Sequence, residues 1–181
     1  MLDSSPAGVR TLPDRMSVAR SSLEYLWIES VPLCHEVTSE LGLQDNVQAE
    51  TVYRQEKLGF SVGRGLAYVA TKDYDQFLKT NLDIVKFVCK ELWIMLFGKP
   101  IDTLKTNHRD TYFLSDSSFE MCRRMSTNLS PEKTSELAAP FLWFPTGMIR
   151  GFLHGMGIES RVNFDASELP MVDFSIVTYE N

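Results

Sequence analysis

Three glycines, Gly59, Gly63 and Gly65, stand within seven residues of KLGFSVGRGLAYVATK, between Lys57 and Lys72. Backbone N–H groups in such a stretch can cradle a phosphate, so the spacing decides whether nucleotide chemistry is open to this chain. The dinucleotide fingerprint requires Gly-x-Gly-x-x-Gly or Ala after a strand, and the last position after Gly63-Arg64-Gly65 holds Tyr68. The phosphate loop requires two glycines with four residues between them, and that second position after Gly59 holds Arg64. The preceding sequence is charged and helical in pattern, not a buried strand. Neither motif is formed.

The remaining reactive side chains point no more strongly to catalysis. Of the three histidines, His35, His108 and His154, only His35 adjoins a cysteine, and on a helix it diverges from Cys34 by about 100°. Cys34, Cys89 and Cys122 form no CxxC pair, so neither a zinc site nor a disulfide framework is expected, and reduced, buried thiols are. His108, Asp110 and Ser115 contain the residue types of a hydrolase triad, yet they lie on one expected hairpin without a nucleophile elbow. No catalytic residue, metal or cofactor is expected. Arg150 reads as a structural cation that satisfies strand-end carbonyls or a carboxylate such as Asp102 or Asp83.

A chain of 181 residues, 44% hydrophobic, has enough apolar material for one ordinary domain. Its net charge of -6 provides no basic field for a nucleic-acid backbone. The apolar runs are too short or too charged to cross a bilayer, and the N-terminus lacks the apolar stretch of a secretory signal, so a cytosolic protein is expected. In that setting the sequon Asn128-Leu129-Ser130 has no use.

Residues 1–20, rich in Ser, Pro, Ala and Arg, read as a disordered tail, and residues 21–181 as a single domain. Ser21 and Glu24 have capping-box spacing before a helix striped by Leu23, Leu26, Trp27, Val31 and Cys34, which Pro32 can kink. A second helix starts at Val47. A third, capped by Asn81 and stopped by Gly98 and Pro100, is apolar on several sides and reads as the central one. Leu104 to Thr106 and Thr111 to Leu114 suit a hairpin around Asn107-His108-Arg109-Asp110, and Phe119 to Met125 reads as an optional third strand. After a polar loop from Thr127 to Glu136 comes a helix from Ala139 to Met156, which Pro145 can kink. Alternation at Val162, Phe164 and Ala166, and at Val172, Phe174 and Ile176, marks two last strands. The fold class is α+β, in the order α-α-α-β-β-(β)-α-β-β, with a helical layer on one face of a twisted antiparallel sheet of about four strands.

At helical spacing Gly59, Gly63 and Ala67 form one column, beside an apolar stripe of Val62, Leu66 and Val69. Glycine inside a helix costs about 0.8 to 1 kcal/mol relative to alanine, so the column predicts close packing of another backbone. The alternative is a helix broken at Gly59 or Gly63. Gly147, Gly151 and Gly155 repeat the spacing in the last helix.

The segments KLGFSVGRGL, LDIVKFVCKELWIMLFGKPIDTLKTNHRDTYFLSD and GMIRGFLHGMGI resemble the small subunits of the transport protein particle, the TRAPP vesicle-tethering complex, and within it the subunit-six (thirty-three-kilodalton) branch. The resemblance runs from about Leu58 to the C-terminus and weakens through Thr127 to Trp143. It implies heterodimerisation, largely through the first helices, with the lipid-carrying paralogue of the same complex. It also implies that the assembled particle is a guanine-nucleotide exchange factor for Rab-type GTPases at Golgi and ER-to-Golgi membranes, with this subunit cytoplasmic, peripheral and non-catalytic. The interface residues expected on that basis are Leu23, Leu26, Trp27 and Val31 with Val62, Leu66 and Val69, and Asn107 and Arg150 are structural polar residues.

Two departures stand out. No cysteine occurs from Ala67 to Leu78, where the lipid-carrying paralogue holds its palmitate, so acylation is not carried over. Asp110 replaces the glycine usual in the TNH turn. An alternative function on the same fold is a small apolar-ligand sensor, with Phe87, Trp93, Phe97, Phe141, Trp143 and Phe144 around a cavity.

Overall fold

Helix α1, Arg20–Glu40, opens on Ala19 without a side-chain cap. Because the helix begins one residue before Ser21, Ser21 and Glu24 both fall inside its first turns, and the expected capping box is not formed. In this computed structural model the described residues are 19–42, 46–72, 78–107, 109–125, 128 and 130–179. The proposed tail up to residue 18 and His108 therefore lie outside the described residues.

Helix α2, Val47–Thr71, runs unbroken through Gly59, Gly63 and Gly65. The next helical run combines α3, Asn81–Phe87, one π turn over Val88–Leu92, and α4, Trp93–Phe97. Its cap is Thr80, not Asn81: the Thr80 hydroxyl accepts the Asp83 N–H at 3.1 Å, and the Thr80 N–H donates to the Asp83 carboxylate at 3.1 Å. Thr80 has the extended backbone that a cap requires, whereas Asn81 is already helical. At the π turn the Cys89 carbonyl accepts the Ile101 N–H at 2.8 Å, which ties the chain beyond the helix back onto it. Gly98, at φ 76°, ends the run in the left-handed conformation.

Four strands follow: β1, Thr103–Thr106; β2, Thr111–Asp116; β3, Ser160–Asp165; and β4, Val172–Thr178. They form an antiparallel sheet in the order β1-β2-β4-β3, with Leu114 and Phe164 both opposite Phe174, and Val162 opposite Ile176. Period-two alternation sends these side chains to one face, where they are covered by helices. Phe119 to Met125 is not a strand. The N–H groups of Cys122 and Arg123 close locally onto the Phe119 carbonyl and that of Met125 onto the Cys122 carbonyl, while the Phe119 N–H donates to the Pro170 carbonyl at 3.0 Å, so the segment is folded into turns and forms no strand ladder.

The segment read as a polar loop contains a helix, α5, Pro131–Ala138, capped by Ser130 and started by proline at its first position. A 3-10 turn, Ala139–Leu142, joins it to α6, Trp143–Gly155, so the single helix expected from Ala139 is divided at Pro140. Pro145 falls in the first turn of α6, where its missing N–H is not required. The core is a cluster of aromatic rings. Trp93 lies 4.7 Å from Phe97 and 5.6 Å from Phe174 between ring centroids, and Phe119 lies 5.1 Å from Phe97, in the tilted and edge-on arrangements that such rings prefer.

Candidate partner-binding surface

The most intimate contact in the molecule joins α2 to α6. A Cβ on Gly59 would overlap the Phe144 carbonyl, and one on Gly63 would overlap the Met148 carbonyl. In return, a Cβ on Gly147 would strike Glu56 and one on Gly151 would strike Phe60, while one on Gly155 would lie 2.6 Å from the Cβ of Ala67. The two small-residue columns thus interdigitate, each helix receiving the other's backbone where a side chain is missing. The neighbour of the glycine stretch is α6 of the same chain.

Arg150 sits on the solvent side of this pair. It forms an ion pair with Glu56, and its guanidinium lies 5.0 Å from the centroid of the Phe60 ring. Neither Asp102 nor Asp83 is its partner. Asp102 accepts the N–H and hydroxyl of Ser117, both at 2.7 Å, and Asp83 belongs to the Thr80 cap. Because α6 lies along α2, the carboxylate within reach is one on α2.

On α1 the expected stripe divides. Trp27 is only 2% exposed; its Nε1–H donates to the Phe141 carbonyl at 2.8 Å, and its ring lies 5.1 Å from that of Phe144. It belongs to this chain's core and presents nothing to a partner, a correction to the expected interface. Leu23 and Val31 are half-buried, whereas Leu26 is 68% exposed, together with Tyr25, Ile28 and Leu33. On α2, Leu66 packs partly against the core while Val62 and Val69 are exposed. Three-and-four spacing identifies an apolar stripe but not which edge of it meets the molecule's own sheet and helices.

A groove of about 780 Å³ opens between α1, α2 and the 3-10 turn, lined chiefly by Ile28, Val31, Val47, Val52, Pro140 and Phe141. Of the six aromatics offered as a cavity frame, Phe141 and Trp143 border this groove, while Phe87, Trp93, Phe97 and Phe144 are buried in the core. They do not enclose one hole.

Residue typing alone missed the polar clasp around Asp116. Its carboxylate is fully buried, accepts the Trp93 Nε1–H at 2.9 Å and the Ser118 N–H at 3.1 Å, and is paired with the Lys99 ammonium. Burial alone would depress the Lys99 pKa, but the hydrogen bonds and charges of Asp116 and Asp102 outweigh it and hold the ammonium above its usual range. The available signal was the alternation of Tyr112 and Leu114, which continues inward to Asp116. The clasp fastens the end of the central helical run to the end of β2, and it touches none of the outer face of α1.

Asn107 holds the hairpin turn: its side-chain oxygen accepts the N–H groups of Arg109 at 2.8 Å and Thr111 at 3.1 Å. Asp110 adopts φ 61°, and its carbonyl accepts the Thr178 N–H at 2.8 Å, linking the turn to β4. His35 is on the rim of the groove, and His154 lies 3.3 Å from Glu159. Among the described residues, no three His, Cys, Asp or Glu side chains converge as metal ligands, and no helix is long and apolar enough to cross a membrane.

Residues 23–178 match the family model described as transport protein particle (TRAPP) component. Trafficking protein particle complex subunit 6B of Homo sapiens is 39% identical over 140 residues, which cover 77% of this chain and 85% of that protein. Subunit 6A of Bos taurus is 37% identical over 147 residues, covering 78% and 90%. In fold, the chain is similar to a trafficking protein particle complex subunit 3 from Naegleria fowleri covalently bound to palmitic acid. That similarity has a TM-score of 0.59 and 14% identity, and covers 84% of this chain and 96% of the other.

Proposed function

The chain belongs to the TRAPP family, in its subunit-six branch, and from that premise we propose that it is a non-catalytic structural subunit that heterodimerises with a paralogous small subunit. A TRAPP subunit takes part in the trafficking complex alongside other TRAPP subunits. The partner we propose is a subunit-three-type paralogue, the class to which the palmitate-bearing Naegleria fowleri protein belongs. Joining the two would complete a tethering particle that acts as an exchange factor for a Rab-type GTPase in ER-to-Golgi and Golgi traffic.

One observation carries the reading: α1 leaves Tyr25, Leu26, Ile28 and Leu33 in solvent along one helix. A run of large apolar side chains on one element is the composition of an interface core, and Trp27 beneath it is already used by this chain's own core. The test is co-expression with each TRAPP small subunit followed by size-exclusion chromatography. A stable one-to-one complex that is lost in Leu26→Asp, with unchanged circular dichroism of the variant, is the expected result. A chain that stays monomeric beside every small subunit sinks the reading. Nucleotide exchange by the particle assembled with and without this subunit tests the wider role.

A further inference from the structure

A cleft of about 560 Å³ opens beside the last turns of α2 and α6, lined among others by Arg64, Tyr68, Thr71, Lys72 and His154. It gathers two cations and an imidazole in a chain whose net charge is -6. Among the described residues no carboxylate lines it, and none pairs with Arg64 or Lys72. Glu159, 3.3 Å from the His154 imidazole, stands beside the cleft without lining it. Acceptors in the wall are already taken. The Thr71 hydroxyl donates to the Ala67 carbonyl at 2.6 Å, and the final carbonyls of α6, at Phe152, Leu153 and His154, accept the N–H groups of Met156, Ile158 and Gly157. The groups left to meet a ligand are a guanidinium, an ammonium, an imidazole and a phenol, all able to donate. The helix dipole explains cations at Lys72 and His154, on the C-terminal ends of α2 and α6. Arg64 lies about two turns in from the end of α2, beyond the reach of that effect.

We propose that this cleft binds a phosphomonoester, held chiefly by Arg64 and Lys72. A donor-rich wall calls for an occupant rich in acceptors and negatively charged. A phosphomonoester offers three terminal oxygens and close to two negative charges, so it can meet the forked guanidinium and the ammonium together. A carboxylate, with two oxygens and one charge, leaves one of the two cations unmatched. The recognised chemistry is the terminal phosphoryl group, on a soluble molecule or on a lipid headgroup. Asp73 and Asp75 follow Lys72 in the sequence and lie outside the described residues, so they enter the test as a variant. The site belongs to the single chain and does not rest on the heterodimer reading.

The test is an NMR titration of the full-length chain with glycerol 3-phosphate at constant pH, following the His154 imidazole signals. Beside it, the chain is floated with phosphatidylcholine vesicles carrying either phosphatidic acid or phosphatidylserine at equal surface charge. Saturable shifts are expected, with affinity about three- to fivefold weaker in Arg64→Gln and in Lys72→Gln, the range of a solvent-exposed charge pair. Glu159→Gln, which removes the neighbouring negative charge, should tighten binding, and Lys105→Gln on exposed β1 should leave it unchanged. Binding of glycerol 3-phosphate in solution identifies a soluble phosphate ester. Flotation with phosphatidic acid but not phosphatidylserine, lost in the Arg64→Gln, Lys72→Gln double variant, identifies a headgroup. The proposal is overturned if neither probe binds saturably, if acetate binds as tightly as glycerol 3-phosphate, or if Lys105→Gln weakens binding as much as Arg64→Gln. It is overturned also if binding appears only in the Asp73→Asn, Asp75→Asn double variant, since the native chain then neutralises its own cleft.

Discussion

Gly63 of α2 rests directly on the backbone of Met148 in α6; a Cβ added there would lie 2.8 Å from the Met148 carbonyl carbon and closer still to its oxygen. Since the obstacle is main chain on a packed helix, Gly63→Ala must push two helices apart. A loss of about 1 to 3 kcal/mol is expected in urea denaturation, and the same for Gly151→Ala against Phe60. Gly65 lies in the same helix with nothing within 4 Å, so Gly65→Ala should instead be neutral or stabilise by up to about 1 kcal/mol. Equal effects at Gly63 and Gly65 would overturn the close-packing account.

The two neighbours Leu26 and Trp27 should separate partner binding from folding. Trp27→Ala removes a buried ring and its hydrogen bond to Phe141, and should cost about 3 to 5 kcal/mol. Leu26→Ala should alter stability by no more than about 0.5 kcal/mol, while weakening capture of the partner subunit in a pull-down.

The Asp116 clasp is expected to be costly to break from one side. Asp116→Ala leaves the Trp93 Nε1–H without its acceptor and the Lys99 ammonium without its buried carboxylate, and about 3 to 5 kcal/mol should be lost. The pH dependence follows from the shift directions. Lys99, held above its usual range, stabilises fully below the ordinary lysine pKa and loses that contribution as pH rises through the raised value. Asp102 is held below the usual range first by the Ser117 hydroxyl; it contributes above the ordinary aspartate pKa and loses this as pH falls through the lowered value. Lys99→Met should therefore flatten the alkaline end of a stability profile measured by urea midpoints, and Ser117→Ala the acid end.

Thiol reactivity should be unequal. Burial pushes Cys89 and Cys122 up to about 12, whereas Cys34 is only partly buried and raised less. With Ellman's reagent at pH 8, one thiol should react in the native protein and the other two only on unfolding.

At the hairpin, Asn107→Ala removes the acceptor for two backbone N–H groups and should lower the urea midpoint by the equivalent of about 1 to 2 kcal/mol. Asp110→Gly relieves a left-handed residue and should leave stability unchanged or raise it by up to about 1 kcal/mol.

Periodicity was sufficient to read α1, α2, the central helical run, the body of α6, the four strands and the antiparallel α+β class, because each burial pattern repeats within a few residues along the chain. It failed at boundaries settled by single hydrogen bonds, such as the Thr80 cap, and in the polar stretch where α5 forms on Ser130 and Pro131. Phe119 to Met125 shows the other limit: a run that reads as an optional third strand folds into turns, with Phe119 buried in the core.

By itself the sequence determined that Gly59, Gly63, Gly147 and Gly151 could admit a backbone, that the phosphate motifs were absent, and that α1 carried an apolar stripe. Only the tertiary structure decided that the two glycine columns meet each other, that Arg150 finds Glu56, and that Trp27 turns inward while Leu26 stays outside. The reason is that spacing records direction about one helix axis, whereas contact depends on where a second element, distant along the chain, is laid against it.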